Sequence, residues 1–337
     1  MPPPEQSSEA PRGKVASLAD LVGWTPFQIV PKPDDILVHW IDLHDSGFDE
    51  PFFAQTVEKR LTDPARQVIT TPITALQEVA GLAESRPPGA FVFHCARAGS
   101  TLLANAFRAL PGNIVLAEPP PFNQLMGAPH RYQAAGPWPG WLRDLLVCLS
   151  QPRRPGDRRS IVKFNSLTTL EGTRLAKVFP QVPCLFLYRH PLEVMVSALK
   201  APPIWLKLQQ DPDGAARRLA LPPKSLRDIP PEDFAGLALK RIFETALDQT
   251  HWLFLNYEDL TAENLPAIAA ALGLPLEAAS EARLQAVFGR DAKSLDPAAF
   301  TADAAQKRAA AGPAVQAACA AHLAASFQAL EARRLRF

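Results

Sequence analysis

The sequence predicts an α/β fold: a parallel β-sheet of about five strands flanked by helices, with an N-terminal accessory segment and a helical C-terminus. Three observations carry that prediction. Hydrophobic residues make up 47% of the 337 and charged residues 20%, enough apolar side chain for a packed core and too much for a disordered chain. After Arg86-Pro-Pro-Gly89 the chain settles into a repeated order of short apolar strand, turn and amphipathic helix. Roughly the last 75 residues are alanine-rich and read as helix, with Gly289 and Pro297 as breaks.

Taken in order, residues 1–15 are polar and Pro-rich and read as a disordered tail. Residues 16–88 read as the accessory segment, with apolar runs at Phe27–Val30 and Ile36–Ile41. A helix follows over Pro51–Leu61, with Phe52, Phe53, Val57 and Leu61 near one face. Residues 89–337 read as the α/β domain. Its strands are Ala90–Cys95, Asn113–Ala117, Ile161–Phe164, Val182–Tyr188 and His251–Asn256. The helices between them are Leu102–Leu110, a stretch around Trp141–Leu149, Thr168–Phe179, Pro191–Lys200 and a stretch near Phe234–Thr250. Such alternation argues for a parallel sheet covered on both faces. No 20–50-residue repeat is present.

Lys plus Arg (35) nearly cancels Asp plus Glu (34), so broad coating of nucleic acid is excluded and any anion site must be local. The four cysteines, Cys95, Cys148, Cys184 and Cys319, are scattered without a CxxC pair, which suggests neither a zinc site nor a disulfide framework; they read as reduced and mostly buried. No apolar leader opens the chain and no run reaches the length of a membrane span, so a cytoplasmic protein is expected. Proline, at 35 residues, is about twice its usual 5% share and predicts rigid loops and helix starts.

The turn leaving the first strand of the α/β domain reads Cys95-Ala-Arg-Ala-Gly-Ser-Thr-Leu-Leu103. Ligands of open parallel sheets sit beyond the carboxyl ends of the strands. Gly99 permits close backbone approach, and Ser100 and Thr101 place hydroxyls beside the N–H groups of a helix start, which together make a cradle for a phosphate. The same residues also suit a simple helix cap with Arg97 in solvent. A nucleotide triphosphatase loop reads GxxxxGK[ST]; this turn lacks that lysine and the first glycine.

Arg97-Ala98-Gly99-Ser100-Thr101 resembles the 5′-phosphosulfate loop of the sulfotransferases. A second stretch, Leu187-Tyr-Arg-His-Pro-Leu-Glu-Val-Met-Val-Ser197, is similar to that family's next signature: an Arg leaves a strand and a Ser lies eight residues on. Pairing of Arg189 with Glu193 is the plainer reading of that stretch. Trp252–Leu260, a strand running into Tyr257-Glu-Asp-Leu, is a third likeness with a structural role. The pieces span about residues 90–295 and leave out the N-terminal 85. The resemblance implies a P-loop NTPase-like fold and use of 3′-phosphoadenosine 5′-phosphosulfate as sulfuryl donor without a metal. It places Arg97, Ala98, Gly99, Ser100 and Thr101 at the 5′ end, and Arg189 and Ser197 at the 3′-phosphate.

Sulfuryl transfer needs positive groups around the moving SO3 and the leaving phosphate, and a base for the acceptor. Arg97 and Lys163, at the end of the third strand, meet the first need; the resemblance implies a bridging role for Lys163. Where the cytosolic branch carries a His two residues after that Lys, this chain has Asn165. A branch resembling the protein-tyrosine sulfotransferases uses a Glu after the second strand, and Glu118, twenty-one residues after Arg97, stands there as candidate base. A strand-end carboxylate on the surface is its plainer reading.

His94 reads as a satisfied core imidazole and His190 as a local hydrogen-bond partner. Arg290 and Lys293 fall where the family brings a late basic loop over the 3′-phosphate. His39, Asp42, His44 and Asp45 fit no metal signature. Arg153, Arg154, Arg158 and Arg159 read as a solvated turn, open to an anionic acceptor. The Pro-rich stretches near 119–140 and 201–232, with Trp138, Trp141 and Trp205, are expected to frame the pocket of a small-molecule or peptide acceptor carrying a hydroxyl or amine. Two rivals stand beside this reading: a P-loop kinase using ATP and Mg²⁺, and a silent nucleotide-binding module.

Overall fold

The structure is a computed structural model, and it describes residues 17–33, 35–43, 46–127, 138–221, 226, 228–274, 281–289 and 304–337. The chain divides into two compact units. One comprises Met1–Pro87 with Glu118–Arg158, the other Pro88–Ala117 with Arg159–Phe337. His44, Asp45, Arg290 and Lys293 lie outside the described residues. Among the described residues, no helix is long and apolar enough to cross a membrane.

The first unit holds a three-stranded antiparallel sheet, β1 (Thr25–Pro31), β2 (Ile36–Ile41) and β3 (Val68–Pro72), in that order. Pro26 and Pro31 fall on edge strand β1, where a missing N–H costs least, and the register slips between Pro26 and Gln28. Helices α1 (Phe53–Leu61), α2 (Ala75–Leu82), α4 (Pro120–Gly127) and Trp138–Leu149 belong to this unit. Trp40 sits at the sheet's centre, fully buried, and its indole N–H donates to Thr71 Oγ1 at 2.9 Å. Arg153, expected in solvent, is 8% exposed and donates to Gly23 O and Thr25 Oγ1. Its burial is tolerated because those oxygens replace water on the guanidinium. Arg154 pairs with Asp49.

The second unit is the parallel sheet. Its strands are β4 (Pro88–His94), β5 (Asn113–Ala117), β6 (Arg159–Lys163), β7 (Cys184–Tyr188) and β8 (Leu253–Asn256), in the order β5-β6-β4-β7-β8, all parallel. The predicted fold class is the one observed. Every residue of β7 is buried, as expected of a strand covered on both faces. Phe91, Phe93, Phe164 and Phe186 fill the core, with the Phe93 ring stacked on Trp252 at 4.1 Å. The predicted helix over Thr168–Phe179 begins instead as a 3-10 turn, Ser166–Glu171, before turning α-helical at Gly172–Val178. Asn165 caps it by accepting from the Thr168 N–H at 3.0 Å.

This strand order positions the site. β4 comes first in the unit's chain yet lies at its centre: β5 and β6 build to one side, and β7 and β8 to the other. The connections therefore diverge at the carboxyl end of β4, and divergence of that kind leaves a crevice. Neighbouring strands lie about 4.8 Å apart, so the ends of β6, β4 and β7 open side by side.

Candidate active site

Each of those three ends carries a cation. Lys163 is the last residue of β6 and is 1% exposed; Arg97 lies in the turn after β4; Arg189 follows β7 and is 5% exposed. Such burial of charged side chains is rare unless they meet opposite charge.

The turn after β4 is built to turn its backbone inward. Ala96 (φ 69°), Arg97 (φ 53°) and Gly99 (φ 83°) are left-handed, a conformation that costs a non-glycine residue about 1 kcal/mol or more. Successive N–H groups in such a turn converge into a concavity suited to anions. Helix α3 (Ser100–Ala109) starts directly from it, with Gly99 at the N-cap offering no side chain to satisfy the helix's first N–H groups. Ser100 and Thr101 are 6% and 5% exposed, and Ala98 is fully buried.

His94 holds the turn in place. Its Nδ1 accepts from the Ala96 N–H at 3.0 Å, so the proton is on Nε2, which donates to Phe164 O at 3.0 Å. One neutral imidazole thus joins the end of β4 to the end of β6, next to Lys163. The expected core role is the observed one. Trp205, expected to frame an acceptor pocket, is instead fully buried and donates its indole N–H to Cys95 O at 3.2 Å. It braces the turn through that bond. Burial pushes the Cys95 thiol up to about 12, leaving it a neutral packing group.

The turn after β4 and the helix after β7 meet. Arg97 Nε donates to Ser197 Oγ at 2.8 Å, across 100 residues of sequence. Ser197 is on the helix Pro191–Lys200, whose first turn carries Pro191, a residue preset for that position. Arg189 does pair with Glu193, one turn into the same helix, yet its guanidinium also lies 4.4 Å over the Tyr257 ring. That ring covers Gly99 so closely that a Cβ there would stand 2.5 Å from Tyr257 Cδ2. Tyr257 therefore bridges the two loops. The sequence places it in a structural motif, and nothing local marks it as the surface shared by Arg189 and Gly99.

Glu118 follows Ala117, which pairs with Lys163 in the β5–β6 ladder, and opens the second stretch of the other unit with a left-handed backbone (φ 56°). Among the described residues His190 Nδ1 makes no hydrogen bond, and burial followed by the nearby Arg308 charge lowers its pKa. Glu258 and Asp259 serve in ion pairs, with Arg308 and Arg334 respectively. Among the described residues no group of three or more His, Cys, Asp or Glu is placed to hold a metal.

No family model and no curated protein matches the chain. Solved structures do. The sulfotransferase STF9 from Mycobacterium avium aligns with a TM-score of 0.42 at 15% identity, over 74% of this chain and 80% of that one. The sulfotransferase domain from the curacin biosynthetic pathway aligns with a TM-score of 0.36 at 15% identity, over 70% of this chain and 98% of that one.

Proposed function

We propose that the protein is a sulfotransferase that binds 3′-phosphoadenosine 5′-phosphosulfate and passes its sulfuryl group to a hydroxyl or amine acceptor. What supports the reading above all is the hydrogen bond from Arg97 to Ser197, which brings the 5′-phosphate turn and the 3′-phosphate helix to one place at the sheet's carboxyl end. A ligand with phosphate at both ends of a nucleoside fits such paired anchors better than a linear triphosphate does. The turn also lacks the lysine with which a P-loop kinase reaches terminal phosphates.

In this mechanism the turn's N–H groups and Arg97 hold the 5′-phosphate, and Arg189 holds the 3′-phosphate. Ser197 accepts from Arg97 Nε and so orients the guanidinium fork, in addition to any contact it makes with the ligand. Glu118 takes the acceptor proton as the acceptor's oxygen or nitrogen bonds to sulfur. The bond from sulfur to the 5′-phosphate oxygen breaks, and adenosine 3′,5′-bisphosphate departs carrying the electron pair. Lys163 and Arg97 meet the charge that grows on that oxygen. No metal enters these steps. A small molecule or a peptide is the acceptor class.

The direct test is transfer of labelled sulfuryl group from the donor to a panel of phenols, alcohols and amines. The wild type is expected to label at least one acceptor, and Glu118→Gln to do so about a hundredfold more slowly. Undiminished transfer by that variant removes Glu118 from the mechanism. Binding of the nucleotide without transfer to any acceptor leaves the silent module as the better reading.

A further inference from the structure

Glu193 is 2% exposed and divides its two oxygens between two arginines. Oε2 receives Arg189 Nε, and Oε1 receives Arg308 Nε at 2.7 Å. Arg308 comes from the short helix Ala304–Ala309, 115 residues beyond Glu193, and belongs to none of the motifs above. Its Nη2 reaches Glu258 Oε1 at 2.8 Å, beside Tyr257, the ring over which Arg189 lies. One guanidinium thereby ties the start of the Arg189 helix to the turn that covers Gly99.

A carboxylate with both oxygens available takes an arginine as a two-point fork, the strongest pairing these groups make. Arg308 meets one oxygen of Glu193, and Arg189 Nε meets the other. We infer that Arg308 is a positioning residue for Arg189: it keeps Glu193 from closing on that guanidinium at two points and drawing it away from a bound anion. The inference rests on the reading of Arg189 as a phosphate ligand. Arg308 acts through Glu193, without itself touching the ligand.

Calorimetric titration with adenosine 3′,5′-bisphosphate tests it on four forms of the full chain: wild type, Arg308→Ala, Glu193→Gln and the double variant. Arg308→Ala is expected to weaken binding about tenfold on the wild-type background and less than about twofold on Glu193→Gln. Arg308→Lys restores the charge but not the two-pronged bridge from Glu193 to Glu258, so rescue is expected to be partial. It also serves as the comparison if Glu193→Gln does not fold. Equal losses on both backgrounds, full rescue by lysine, or no loss at all would overturn the inference while leaving the site reading intact. Failure of the wild type to bind the bisphosphate removes the site reading and this inference with it.

Discussion

Gly99 carries the tightest constraint at the site, because its backbone is left-handed and the Tyr257 ring stands where a Cβ would go. Gly99→Ala is expected to cost about 1–3 kcal/mol of stability and to weaken bisphosphate binding more than tenfold, read by thermal melts and titration. A variant that melts and binds like wild type would show that the ring yields freely. Lys163 makes a contrasting case. As a fully buried cation at a strand end it stabilises the fold little, so Lys163→Met is expected to keep or raise the melting temperature while slowing sulfuryl transfer about a hundredfold or more. Loss of stability in step with activity would assign it a structural role. Arg97, Arg189 and Ser197 stand as candidates from the sequence because their short runs resemble two signatures of the sulfotransferases. Tyr257 over Gly99 and Arg308 on Glu193 are not legible there, since the pairing depends on tertiary packing between segments that share no local pattern.

At the scale of elements, strand and helix alternation announces a parallel sheet, and all five expected strands fall within two residues of their place at each end. Strand order is a different matter: nothing in the residues of β4 says that it lies between β6 and β7, and it is that order which brings Lys163, Arg97 and Arg189 together. β3 escapes the pattern because Val-Ile-Thr-Thr-Pro is five residues without apolar–polar alternation, although its burial alternates. Helix α2 escapes because eight residues make little more than two turns. The C-terminal helix Pro313–Ala332 is legible as helix, but neither it nor the non-helical segment after it is legible as a brace. Glu331 accepts from Tyr188 Oη at 2.7 Å and from Asn256 Nδ2 at 2.7 Å, and Arg334 spans Glu331 and Asp259. This end of the chain thus grips the residue before Arg189 and the turn that holds Tyr257. Arg334→Ala is expected to cost about 2 kcal/mol in denaturant unfolding and to weaken bisphosphate binding by less than Arg189→Ala does. An unchanged unfolding midpoint would mean that the C-terminal grip contributes nothing.

The whole molecule carries an alkaline limit. Burial pushes Cys95, Cys148 and Cys184 up to about 12, against about 9 in the unfolded chain, so the native state keeps protons that the unfolded state gives up. Their contribution to stability is complete below pH 9 and is lost as the pH rises toward 12. The expected slope approaches 1.4 kcal/mol per thiol for each pH unit once the unfolded thiols have ionised. Urea melts between pH 8.5 and 10 read it, a range that ends at the midpoint of Arg153, which burial lowers to about 10. Cys148→Ala should flatten the slope; stability unchanged up to pH 10 would contradict the burial of these groups.

The central proposal is that both loops at the sheet's carboxyl end grip one doubly phosphorylated nucleoside. Titration of the wild type, Arg97→Ala and Arg189→Ala with adenosine 3′,5′-bisphosphate, and separately with ATP and Mg²⁺, decides it. Saturable binding of the bisphosphate, lost in each single variant, is the predicted result, with thermal stabilisation of about 2.7 kcal/mol at a hundred times the dissociation constant. Stabilisation by ATP and Mg²⁺ alone, or bisphosphate binding that survives both substitutions, would contradict it.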